Sequence, residues 1–223
     1  MMAGMAAKPS SGASRYTVMR REDREAEFSR VLAFSDGVFA IAITLLVLQL
    51  EVPEDVNSLG HELSMELPDL FAFAISFAVL GRVWWVFHHR LFSGLASFDS
   101  PLIALNFAYL AMVTLVPFTS ELLGDFGDRS IVVIIYAVNL AVLNLIGGVM
   151  VEYAYAKGLM KPEALDYAED HRGAAHWVIP GIFLLSVPLA LVSPVGATFV
   201  WLLTLGVAPR VVRRLRERGK PGV

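Results

Sequence analysis

The segment Arg30-Val-Leu-Ala-Phe-Ser-Asp-Gly-Val-Phe-Ala-Ile-Ala-Ile-Thr44 opens the first long apolar run of this chain, which continues to Leu50. A run of about 20 apolar residues, rising 1.5 Å per residue in an α-helix, crosses a hydrocarbon layer of roughly 30 Å. The segment therefore predicts a transmembrane helix. Asp36 is the only acidic residue inside it, and a carboxylate in such a helix costs about 2.5–3.5 kcal/mol to insert.

Five further apolar runs follow, separated by short polar segments. The chain of 223 residues is 56% hydrophobic and 17% charged, whereas soluble domains carry about 25% charged residues. We predict an all-α membrane protein with six transmembrane helices per subunit. Their ranges are 30–50, 67–90, 102–119, 130–155, 175–192 and 197–212. Residues 30–212 then form one transmembrane channel domain, between an N-terminal tail at 1–29 and a basic tail at 213–223.

The charged residues predict the orientation of these helices. Of the 18 Lys and Arg residues, all but Arg129 fall in the two tails, near the loop between the second and third runs, or in the loop between the fourth and fifth. Lys and Arg are enriched in cytoplasmic loops. We therefore expect a multi-pass protein of the cell (plasma) membrane with both termini in the cytoplasm.

Helix geometry divides the first run into faces. At about 100° per residue, one narrow stripe, which we call the first-helix stripe, contains Arg30, Phe34, Gly37, Ile41, Thr44, Leu45 and Leu48. Asp36 lies about 120° from the centre of this stripe. Composition alone leaves Asp36 as either a brace between helices or part of an ion path, and the wheel favours the brace. Glu51 lies near the outer end of the stripe, where it either attracts cations or, the interpretation we favour, is a solvated loop residue.

The pattern Arg30-x-x-x-Phe34-Ser35-Asp36, with Thr44 eight residues after the Asp, resembles the RxxxFSD motif in the first helix of the transmembrane protein 175 family. The cluster Trp84-Trp85…His88-His89 is similar, less specifically, to the Trp/His region in the second helix of that family. These proteins are potassium-permeable channels of lysosomes and prokaryotes, and the length of this chain resembles that of the single-repeat prokaryotic members.

The resemblance implies a homotetramer around a central pore lined by the first helices. It implies a hydrophobic constriction formed by Ile41, Leu45 and Leu48, with Thr44 contributing to selectivity. It also implies a network that joins Arg30 and Asp36 to Trp84 or Trp85 and to His88 or His89. The sequence contains no segment like TVGYG, which excludes the carbonyl filter of the usual potassium channels, and apolar rings gate instead by dewetting.

The predicted function is thus a potassium-preferring cation channel, not an enzyme. A proton channel on the same fold and a secondary transporter remain alternatives, as does an intramembrane enzyme or metal site built on the His pair. We expect no cofactor and no metal, because the chain has no Cys and adjacent His side chains on one helix diverge by about 100°. The expected partners are membrane lipid and monovalent cations, with K⁺ as the permeant ion, and no nucleic acid.

Polar and small residues inside the other runs predict how the helices pack. We expect Asn106, Asn139 and Asn144 to form hydrogen bonds between helices and Gly147-Gly148 to permit a close helix contact. Each of the adjacent His residues has an aromatic residue four positions earlier, Trp84 or Trp85, which fits either an interfacial Trp/His belt or the network that the resemblance implies. Pro101 is expected in the first turn of the third helix.

Overall fold

The computed structural model describes residues 11–52, 57–171 and 177–203. Regular structure in these residues is helical, apart from one isolated antiparallel bridge between Leu95 and Met160. The α-helices are α1 (Ser11–Leu45), α2 (Leu59–Met65), α3 (Leu67–Arg82), α4 (His89–Ser93), α5 (Ser100–Phe126), α6 (Ser130–Ala156), α7 (Leu165–His171), α8 (Val178–Ala190) and α9 (Pro194–Val200). A 3₁₀ turn (Leu46–Gln49) extends α1, a π-helical turn (Val83–His88) joins α3 to α4, and a second 3₁₀ turn (Pro162–Ala164) precedes α7.

Four helical segments of the described chain are long and apolar enough to cross a membrane. They are Ala26–Gln49, Leu67–Ser93, Ser100–Phe126 and Ser130–Ala156, which confirms the first four predicted spans. The fifth predicted span contains α8, which has 13 residues and a length of about 20 Å, less than a hydrocarbon layer. Only the first part of the sixth predicted span is described, up to residue 203, and the tail at 213–223 lies outside the described residues.

Local sequence signals fix where two of the helices begin. The side chain of Asp99 accepts a hydrogen bond of 3.1 Å from the backbone N–H of Leu102, and Pro101 occupies the first turn of α5 as predicted. Ser193 accepts from the backbone N–H of Gly196 in the same way before α9. Such caps satisfy backbone donors that have no partner inside the helix.

Helices α5 and α6 form the centre of the subunit. Helix α5 packs against α1, α3 and α6, and α6 packs against α8. Buried hydroxyl groups connect three of these helices, since Ser76 Oγ lies 2.8 Å from both Ser120 Oγ and the hydroxyl oxygen of Tyr136. In a lipid environment, hydrogen bonds of this kind hold helices together where apolar packing alone gives little preference over lipid.

The predictions about small and polar residues are partly confirmed. Asn139 donates to Thr119 Oγ1 of α5 over 3.2 Å, and Asn106 also bonds across helices. The prediction for Asn144 is wrong, because its amide donates to the carbonyl of Leu140 in its own helix. Gly147 lies so close to two aromatic rings of neighbouring helices that an added Cβ would stand 3.0–3.2 Å from them, which confirms the close contact predicted there.

Candidate functional site on the first helix

Helix α1 presents one buried and one exposed face. The buried side chains follow helical spacing and are Ser35, Phe39, Ala42 and Leu46, each at most 2% exposed. Most of the first-helix stripe lies on the other side, where Phe34, Ile41, Leu45 and Leu48 are 52%, 61%, 44% and 74% exposed. Phe34, at one end of the stripe, contacts Phe107 of α5 with ring centroids 5.6 Å apart, while Ile41, Leu45 and Leu48 remain exposed.

Thr44 is the hydroxyl residue of the exposed stripe. Its Oγ1 lies 2.9 Å from the carbonyl oxygens of Ala40 and Ile41 and donates back to its own helix. A hydroxyl has one donor and two acceptor lone pairs. Because the donor is used internally, Thr44 presents oxygen lone pairs outward, and such a group can accept a hydrogen bond from water or contact a cation.

The outer end of α1 differs from the predicted continuous helix to Leu50. The α-helix ends at Leu45 and a 3₁₀ turn follows, in which the side-chain amide of Gln49 donates to the Leu46 carbonyl over 2.7 Å. Glu51 comes after this turn, is exposed, and its backbone N–H points to Glu66 Oε2 at 3.3 Å. The position of Glu51 beyond the helix favours its interpretation as a loop residue.

Asp36 connects α1 to the π-helical turn. Its Oδ1 accepts a hydrogen bond of 3.0 Å from the indole N–H of Trp84. Trp85 instead stacks on His89, with ring centroids 5.2 Å apart and planes 9° apart. Asp36 is half-buried and off the stripe, and within one subunit this hydrogen bond links the first and second spans.

A second polar connection lies beside the first. The amide nitrogen of Asn106 on α5 donates to Ser35 Oγ over 3.0 Å, and its Oδ1 lies 3.0 Å from His88 Nε2. Because an amide oxygen can only accept, Nε2–H is the donor. All three side chains are fully buried. The three spans are therefore joined at one depth. Asn106 belongs to this site although it is not part of the motif, and only its position in the middle of a span suggested an interhelical role.

The two adjacent His residues have different surroundings. Trp85, four positions before His89, stacks on the ring of His89. The ring of His88 stacks on Phe92, with centroids 4.3 Å apart. A π turn has an i→i+5 hydrogen-bond pattern and shifts the register of one helix face. His88 is buried and His89 is exposed, and no group of three or more potential metal ligands occurs in the described ranges.

Arg30 stands apart from both connections. Its side chain is exposed, and no hydrogen bond or ion pair joins it to another residue of the described chain. Arg30 and Asp36 lie on different faces of α1, separated by about 120°. A single subunit therefore does not bring the first and last residues of the RxxxFSD pattern together.

Comparison with known proteins places this arrangement in a family. Residues 30–117 match the family described as "Endosomal/lysosomal potassium channel TMEM175". A potassium channel of Streptomyces collinus is 44% identical over 102 residues, which cover 45% of this chain and 49% of that protein. A potassium channel of Chamaesiphon minutus is 36% identical over 188 residues, covering 79% of this chain and 92% of the relative.

Structural and vertebrate relatives agree with this match. The crystal structure of a lysosomal potassium-selective channel TMEM175 homolog from Chamaesiphon minutus superposes with a TM-score of 0.69 at 30% identity, covering 84% of this chain and 98% of that one. The human endosomal/lysosomal proton channel TMEM175 is 25% identical over 173 residues, which cover 76% of this chain but 34% of the human protein. The motif on α1, its bracing contacts and the similarity over nearly the whole Chamaesiphon protein together establish that this chain belongs to the TMEM175 family, a family of ion channels and not of enzymes.

Proposed function

We propose that this chain is the subunit of a homotetrameric, potassium-preferring cation channel whose pore is lined by the first-helix stripe. The observation that carries the proposal is the exposed apolar stripe on a helix that its own subunit braces from behind. One subunit supplies one such stripe, so a pore requires several copies around an axis. The bacterial relatives named as potassium channels support K⁺ as the permeant ion.

Ile41, Leu45 and Leu48 form the constriction in this proposal. They extend over about 10 Å of helix and expose branched apolar side chains. A ring of such side chains excludes water when narrow and conducts when slightly wider. Thr44 lies between them and offers oxygen lone pairs toward the pore, which gives a permeant cation a polar contact inside an otherwise apolar segment.

The charged ends of the stripe have separate roles in the proposal. Arg30 lies at the inner end, where four unpaired guanidinium groups would repel cations, so Arg30 is paired within the assembly or turned from the axis. Glu51 is exposed after the outer end of the helix, and four copies would attract cations weakly through solvent. Asp36 and Trp84, with Ser35, Asn106 and His88, hold the helix rather than contact ions.

The wider architecture belongs to the same proposal. We place the protein in the plasma membrane with both termini in the cytoplasm, a tail at 1–29, a channel domain at 30–212 and a basic tail at 213–223. The fifth span is formed around α8 and the sixth by residues 197–212. The distribution of Lys and Arg supports this orientation.

A proton channel on the same fold is the second candidate, because vertebrate relatives of this chain are named proton channels. The buried His88 lies behind the stripe and not on it, which favours metal cations over protons as the main permeant species. No observation in the described residues favours a secondary transporter, which would show saturating uptake.

Planar-bilayer recording of the purified, reconstituted protein tests the proposal. With potassium on one side and sodium on the other, a potassium-preferring pore gives a reversal potential displaced toward the potassium equilibrium value. A tenfold potassium gradient shifts that value by about 59 mV for a monovalent ion. Currents that follow an imposed pH gradient and ignore the potassium gradient would establish the proton channel instead, and flux without current would contradict both.

A further inference from the structure

A cleft of about 510 Å³ lies at the end of the second span, away from the first-helix stripe. One wall carries Trp85, His89 and Arg90, and the other carries Lys161 and Glu163. This volume lies in the range typical of sites for small molecules. None of the proposed pore contacts uses the cleft.

Backbone contacts hold the two walls of the cleft together. The N–H of Ala96 donates to the carbonyl of Leu159 and the N–H of Lys161 to the carbonyl of Gly94, both over 2.8 Å. Gly94 also approaches Ala164 so closely that a Cβ at Gly94 would stand 2.8 Å from the Cβ of Ala164. These contacts fix the loop after the second span against the loop after α6. The cleft between the two loops therefore has a defined shape.

Two cationic side chains face this cleft. Lys161 Nζ donates to the carbonyl of Ser93 over 2.8 Å, and an ammonium group has two further N–H donors. Arg90 is exposed and forms no ion pair with another residue in the described ranges. Glu163 contributes one opposing charge, so Arg90, Lys161 and Glu163 together carry one net positive charge.

The position of the cleft near one end of the second span fits the depth of lipid headgroups. The helical segment Leu67–Ser93 has 27 residues and a length of about 40 Å, so its ends extend beyond a hydrocarbon layer of roughly 30 Å. Trp85 is 57% exposed and lies about 12 Å before the end of the segment, in the region where aromatic side chains meet acyl chains and headgroups. Arg90 lies five residues closer to the end of the segment than Trp85, and Lys161 lines the same cleft.

We propose that this cleft binds the phosphate group of an anionic phospholipid. Arg90 and Lys161 donate to the phosphate oxygens, and the Trp85–His89 stack contacts the glycerol and upper acyl chain. Basic pockets between transmembrane helices bind lipid headgroups by this combination of charge and apolar contact. The site requires only that the second span crosses a membrane and does not depend on which ion the channel conducts.

Quenching of tryptophan fluorescence by brominated lipid tests the site in the full-length protein. The protein is reconstituted in phosphatidylcholine that contains a small fraction of phosphatidylglycerol with brominated acyl chains. Quenching by this lipid should exceed that of brominated phosphatidylcholine at the same fraction, and Trp85→Phe should remove most of the excess. Each of Arg90→Gln and Lys161→Gln should weaken the preference for phosphatidylglycerol about fivefold.

Glu163→Gln is the matched control, and its expected effect on the lipid preference is opposite to that of the two cationic variants. It removes the opposing charge and should strengthen the preference for phosphatidylglycerol, and this gain also tests the site if a cationic variant fails to fold. Equal quenching by both lipids, or a preference unchanged in all three charge variants, would overturn the proposal. Glycerol phosphate added in solution is a competitor that distinguishes a lipid headgroup from a free phosphate ester. If millimolar glycerol phosphate abolishes the excess quenching, the cleft binds free phosphate esters and the lipid assignment is wrong.

Discussion

The hydrogen bond between Trp84 and Asp36 gives the most direct test of how the first helix is held. Trp84→Phe keeps an aromatic ring but removes the N–H that lies 3.0 Å from Asp36 Oδ1, and Asp36→Ala removes the acceptor. Hydrogen bonds to charged groups contribute about 1.5–3 kcal/mol, while double-mutant cycles between membrane helices average about 0.6 and reach about 1.7 kcal/mol. Because the Asp36 carboxylate is half-buried, we expect a coupling free energy of about 1–2 kcal/mol between Trp84→Phe and Asp36→Ala.

The assay is equilibrium unfolding of the wild type, the two single variants and the double variant in detergent. Trp85→Phe is the matched control, because Trp85 stacks on His89 and should show almost no coupling to Asp36→Ala. Asp36→Ala should also lower the fraction of assembled protein more than the conductance of the fraction that assembles. A coupling below about 0.5 kcal/mol, within the usual additivity of separate sites, or an equal coupling for Trp85 would refute the brace.

Four further predictions concern the stripe, the buried connection, helix packing and the exposed face at Gly37. Ile41→Asn should wet the constriction and increase leak current or reduce selectivity in bilayer recordings, whereas Ile41→Val should change little, and equal currents for both would contradict the pore assignment. Asn106→Leu leaves the buried Nε2–H of His88 without a partner, while Ser35 keeps its bond to the Val31 carbonyl, and should lower the free energy of unfolding by about 1–3 kcal/mol. Asn144→Leu, which removes a bond within one helix, should cost less than about 1 kcal/mol, and the reverse order would disprove the connection. Gly147→Leu should destabilise the subunit by about 1–3 kcal/mol through overpacking in the same unfolding assay. Gly37→Ala meets nothing within 4 Å in its own subunit and should affect assembly or current but not subunit stability, so a large loss of subunit stability would place that face against its own helices.

The faces of the first helix could be predicted because they depend only on helical period. Once Arg30 to Leu48 is helical, a rotation of about 100° per residue separates the stripe from the side that carries Ser35 and Phe39. The burial of Ser35 and Phe39 and the exposure of Ile41 and Leu48 follow this separation. The four long spans were predictable for a similar reason, since their apolar length matches the thickness of the membrane.

The partners within the network could not be predicted, because they depend on the hydrogen-bond register of one helical turn. Apolar composition does not distinguish a π turn from an α turn, so the sequence left Trp84 and Trp85 equivalent. It also left His88 and His89 equivalent, although one is buried and the other exposed. The same limit applies to Asn144, whose amide bonds within its own helix because half-buried polar groups can be satisfied locally as well as across helices.

The π-helical turn at Val83–His88 also makes the facing of one half of the long second span independent of the facing of the other half. In a regular α-helix each residue adds a fixed rotation. The residues that face α5 near one membrane surface therefore determine which residues face α5 near the other surface. The π turn contains one residue more than an α turn. This extra residue allows Ser76 to contact Ser120 at one level while His88 contacts Asn106 at another. If the same residues were wound as a regular α-helix, one half would rotate by about 100° against the other, so the subunit would keep its hydrophobic length but could satisfy only one of the two contacts.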